Sequence, residues 1–134
     1  MGCNSYRRLL AALILLAGWQ VALGSEHGGG DAPAAKPLTF ISNLAGSESD
    51  VRYLQVALVL EAATLETEQA LSALRPKVQH EILLLLTEQT ADALRTLAGK
   101  QSLAKKIRAA VNRLLKENEK TGVKEVLYTS FVIQ

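Results

Sequence analysis

From Tyr53 to Glu61 the residues alternate strictly, with Leu54, Val56, Leu58 and Leu60 on one side and Tyr53, Gln55, Ala57, Val59 and Glu61 on the other. Side chains of an extended strand point to opposite faces in turn, so this spacing predicts a strand that covers a core on one face only. Such a strand cannot stand alone. It needs strand neighbours to satisfy its backbone and a second layer to cover its leucines.

The flanking sequence supplies both. Leu38 to Leu44, with Phe40 and Ile41, is a second strand candidate, and the loop-forming run Ala45 to Asp50 makes the pair a plausible antiparallel hairpin. Downstream, Thr64 is placed to cap a helix whose first turn carries Glu66 and Glu68, where the helix dipole favours negative charge. Leu71, Leu74, Val78, Ile82 and Leu85 then draw one apolar stripe. Pro76 interrupts it, and a proline there predicts a kink or a break into two helices. The run from Ile82 to Leu86 is apolar all round and is expected to be the most buried turn.

Thr87 to Ala98 reads as a turn and a short helix capped by Thr90, with Leu94 and Leu97 facing in and Gly99 as its stop. A third helix is expected from about Lys100 to Asn118 on the stripe Leu103, Ile107, Val111, Leu114 and Leu115, ended by Thr121-Gly122. The last strand, Val126 to Gln134, alternates Leu127, Thr129, Phe131 and Ile133 with Val126, Tyr128, Ser130 and Val132. Being apolar on both faces, it is expected inside the sheet and not at a wet edge. The order implies an α+β domain: a small mixed sheet, an N-terminal hairpin plus a parallel C-terminal strand, covered on one face by two to three helices. On this reading Leu85→Ala or Phe131→Ala should cost about 2–5 kcal/mol.

The first 24 residues form a separate object. Arg7-Arg8 precedes the apolar core Leu9, Leu10, Leu13, Ile14, Leu15 and Leu16, and the small-residue triplet Ala22-Leu23-Gly24 follows. That order is the layout of an export signal, with cleavage falling after Gly24; the alternative is a single uncleaved membrane anchor, shorter than the roughly 20 apolar residues a span wants. Either places the remainder outside the cytoplasm. Residues 25–36, rich in Gly, Ala and Pro, read as a flexible tether able to span about 20 Å. The folded domain is then 37–134.

Composition narrows the chemistry. The 15 Lys and Arg outnumber the 13 Asp and Glu by two, and the excess is Arg7 and Arg8, so the remainder is formally neutral and offers nucleic acid no strong field. The single cysteine, Cys3, lies in the leader, which leaves the domain to packing alone. His27 sits among glycines in the tether. His80-Glu81 has no second histidine four residues on, so it is not a zinc motif, and no nucleophile elbow or phosphate loop occurs. The expectation is no catalytic residue, metal or cofactor. What remains is a basic helix carrying Lys100, Lys105, Lys106, Arg108, Arg113 and Lys116. It reads either as a solvated face or as a patch for an acidic partner or lipid head groups, with Lys105, Lys106 and Arg108 the candidate contacts.

Arg52-Tyr53-Leu54-Gln55-Val56, the stretch from Arg75-Pro76-Lys77-Val78 to Leu86-Thr87, Thr90 with Leu94, Gly99-Lys100, Asn112, and the ending Val126 to Gln134 together resemble the flagellar basal-body-associated FliL family over residues 38 to 134. The resemblance implies a stomatin-like periplasmic domain held at the inner membrane beside the flagellar motor. It implies self-association in rings around the stator, in support of torque and swarming, without catalysis. The alternative is a periplasmic module that binds a peptide or lipid through the basic helix. If the leader is removed, the product is soluble in the periplasm.

Overall fold

The computed structural model describes residues 36–46 and 51–134. The leader, the tether up to residue 35, Cys3 and His27 lie outside the described residues. Strands β1 (Leu38–Asn43), β2 (Tyr53–Ala62) and β3 (Val123–Ile133) enclose in sequence the helices α1 (Leu65–Ala73), α2 (Arg75–Thr87), α3 (Ala91–Arg95) and α4 (Leu97–Leu115).

The class is α+β, with the helices layered on one face of a three-stranded sheet. The hairpin forms as expected, pairing Leu38 with Leu58 and Phe40 with Val56. Leu54, Val56, Leu58 and Leu60 are all buried. Two features of the sheet differ from expectation. It is antiparallel throughout instead of mixed, and its order β1-β2-β3 leaves the last strand at an edge. The reason lies in β3 itself. Ala57 pairs with Ser130 and Leu58 with Tyr128, so Thr129 is an extra residue in the ladder, and a second irregularity falls at Lys124. A bulge reverses the phase of alternation beyond it. Val126 and Tyr128 therefore join Phe131 and Ile133 on the side of the buried β2 leucines, while Leu127 and Val132 turn to the exposed face. The double-sided apolar pattern thus signals a bulged edge strand.

Thr64 caps α1 by accepting the Thr67 N–H at 3.2 Å. Of the two outcomes open at Pro76, the break occurs. Leu74 closes α1 and opens α2, and Pro76 sits in the first turn of α2, where its missing N–H costs nothing. Val78, Ile82 and Leu86 are the fully buried positions of α2, with Leu71, Leu74 and Leu85 half-buried beside them. The Ile82 to Leu86 run is not buried all round: Leu83 and Leu84 are exposed, Leu84 by 48%. Successive helical residues are about 100° apart, so a helix lying on one layer cannot bury five in a row.

The break at Pro76 brings the helices among the described residues to four, and the segment around Gly99 behaves differently from a stop. Thr96 accepts the Gly99 N–H at 3.0 Å and starts α4 at Leu97. Leu97, expected to face in, is 72% exposed. Gly99 is needed for close approach, since a Cβ there would overlap the carbonyl oxygen of Ala93 at the end of α3. Gly99→Ala is accordingly expected to lower stability by roughly 1–3 kcal/mol despite alanine's better helix propensity. An unchanged thermal midpoint would contradict this packing. At its far end α4 stops at Leu115, with Lys116 left-handed (φ 58) as the cap.

One buried polar contact ties the layers together. Asn112, on the inward side of α4, donates from Nδ2 to the Val123 carbonyl at 3.0 Å and accepts the Val123 N–H at 2.6 Å. Its amide acts as a substitute strand partner and fixes where β3 begins. Gly122 is pressed against it, and a Cβ there would meet Asn112 Oδ1. The buried Thr67 hydroxyl of α1 donates to the adjoining Thr121 carbonyl.

Candidate functional site

The basic helix was the sole feature of the sequence to suggest a binding surface, and α4 does form one wall of an open groove. The other wall is β3, and the groove, of ≈ 470 Å³, runs over Ala104, Val126 and Tyr128 with Lys100, Lys105 and Arg108 at its rim. Amphipathic spacing explains it. Leu103, Ile107 and Val111 point into the core, so residues about 100° further round the helix are carried past the edge strand.

Tyr128 closes the floor. Its hydroxyl donates to the Lys100 carbonyl at 3.2 Å, and its ring meets Phe131 edge-on, with centroids 5.2 Å apart and planes at 81°. The Lys100 ammonium stands 5.1 Å from the centre of the Phe131 ring, within cation–π range. Burial pushes the Tyr128 phenol well above its ordinary value of 10.0, because the phenolate would be poorly solvated there. The unfolded chain ionises this group first, so the sign is fixed: stability present below pH 10 falls as pH rises past that value. Tyr128→Phe should flatten this alkaline loss in denaturation curves taken across that range, and an identical slope in the variant would contradict it.

The three candidate contacts separate. Arg108 is committed to structure: it pairs with Glu119 at 2.7 Å and donates to the Lys124 carbonyl at 3.1 Å, holding the turn before β3 against α4. Lys105 stands at the groove rim, exposed and without an ion pair among the described residues. Lys106 is exposed but is not among the groove residues, having turned to another side of α4. The patch is thus narrower than the count of charges suggested. Tyr128, Phe131 and Glu119 were not anticipated. Glu119 was visible as a returning acid, but its pairing with Arg108 depends on the turn that brings it back. Tyr128 was hidden by the bulge.

His80 is exposed on α2 and makes no hydrogen bond or ion pair among the described residues. Among the described residues no group of three or more His, Cys, Asp and Glu could hold a metal ion, and no helix is long and apolar enough to cross a membrane.

Residues 36–134 match the family model described as flagellar basal body-associated protein FliL. The chain is 32% identical over 95 residues to a flagellar protein FliL of Aquifex aeolicus, an alignment covering 71% of this chain and 56% of the relative. It is 32% identical over 97 residues to the flagellar protein FliL of Escherichia coli K12, covering 72% and 61%. The chain thus spans only about 56–61% of the length of these relatives.

Proposed function

Since the chain belongs to the flagellar basal body-associated FliL family, we propose that it is a non-enzymatic structural component of the bacterial flagellar basal body. It associates with copies of itself and with the motor stator, and supports rotation and swarming. The domain lies on the periplasmic side of the inner membrane, held there by residues 1–24 or, if these are cleaved, by protein contacts. The single observation that carries the reading is that the family match spans the whole described domain, from residue 36 to residue 134. The architecture agrees with a bracing role. The Asn112 contact ties the helical cover to the sheet, and at the groove the Arg108 guanidinium is held by Glu119 and the Tyr128 hydroxyl by the Lys100 carbonyl.

Deleting the gene should reduce swarming and rotation under viscous load. Unchanged motility under load would contradict the proposal. The groove's cationic rim favours a second reading, a periplasmic module binding an acidic peptide or lipid head group. Lys105→Ala with Lys106→Ala separates the two, Arg108 being left in place for its structural pair. Loss of lipid binding with motility intact supports the module, and loss of motility without a change in lipid binding supports the motor role.

A further inference from the structure

Two exposed surfaces of the domain lie on helices that cover different edges of the sheet. α4 packs over β3 at one edge of the sheet, and α2 packs over β1 at the other. The α4/β3 groove has an apolar floor and a basic rim. Glu81 and Leu84 of α2 and the C-cap residue Glu88 follow one another at spacings of three and four, which places them on one stripe of the helix. Leu84 is a large apolar side chain 48% exposed, and neither glutamate has an ion-pair partner among the described residues. Lys77, one turn earlier, extends the same stripe, and Glu125 lies in the groove.

We propose that the Glu81, Leu84 and Glu88 stripe of one copy seats in the α4/β3 groove of the next, in a head-to-tail contact. Leu84 covers the floor over Ala104 and Val126, the glutamates meet Lys100 and Lys105, and Lys77 faces Glu125. Each surface repels or fails to fill its own like, whereas the two together match in charge and in apolar content. Because the two surfaces share no residue, a copy engaged through one keeps the other free, so the contact repeats. It closes into a ring if the rotation between copies allows, and otherwise grows as a filament. The self-association put forward above is the premise, and this contact gives it a location.

Thiol cross-linking in cells tests it with the full chain, after Cys3→Ser removes the native cysteine. Gln101 also lines the groove, so a chain carrying both Leu84→Cys and Gln101→Cys, treated with a short bismaleimide, should give a ladder of dimers and higher species. Each single variant alone should stay at background, and co-expression of the two singles should give dimers. Glu88→Lys should lower the ladder yield several-fold, and Lys105→Glu in the same chain should restore it. Cross-linking by Leu84→Cys alone would overturn the head-to-tail geometry. No ladder from the double variant, while an amine-reactive linker still captures multimers, would overturn the surfaces and leave self-association standing. No multimers with either reagent would overturn both.

Discussion

Asn112→Leu is expected to destabilise the domain by roughly 3–5 kcal/mol, although leucine is close to asparagine in size. The side-chain amide is the partner of both the Val123 N–H and the Val123 carbonyl, at 2.6 and 3.0 Å, and Val123 is fully buried. Leucine would leave a donor and an acceptor unpaired away from water, each costing about 1–3 kcal/mol. Hydrophobic burial of the new side chain offsets part of this. A domain of this size has a total stability of about 5–15 kcal/mol, so the variant should be near the edge of folding. Amide exchange would place the damage at Val123 and in the first turns of α1 and α4's end, because Thr67 and Gly122 converge on the same corner. A loss under 1 kcal/mol in urea denaturation would mean that water reaches Val123.

Leu58→Ala should cost a similar roughly 3–5 kcal/mol, for a different reason. Leu58 lies mid-way along the central strand, paired with Leu38 on one side and Tyr128 on the other, and is completely buried beneath the helices. Truncation removes apolar contact and leaves a cavity that strands held on both sides cannot collapse to fill. Leu127→Ala on the exposed face of β3 is the control and should cost under about 1 kcal/mol. Equal losses at the two positions would contradict the assignment of faces. Leu85 and Phe131, which the sequence pattern marked for comparable losses, are only half-buried. The effect belongs to Leu86 and Leu58 instead.

These two residues also mark what the sequence could disclose. Leu58 was legible because an unbroken period of two names its own face, and Thr64, Thr90 and Pro76 were legible because caps and proline act within a turn. The edge position of β3, its bulge at Thr129 and the exposed Leu97 were not, since each is settled by contacts distant in sequence. Gly99 reads in the sequence as a helix stop, whereas it lies in the first turn of α4 and its room is limited by the Ala93 carbonyl of α3. In the sequence Asn112 enters only as one of the residues that carry the family resemblance, with no local signal of its role. Its partner is eleven positions away, in a strand whose start the pattern put three residues late. For the site the limit was sharper. Charge count identified α4, but helical phase and the Arg108–Glu119 pair decide which cations face the groove.

The central claim, that this domain acts by where it is held and what it braces, is tested most directly by imaging a fluorescently tagged full chain in flagellated cells. The account predicts discrete foci coincident with flagellar bases. An even distribution around the cell, in a strain whose motors are intact, would contradict it.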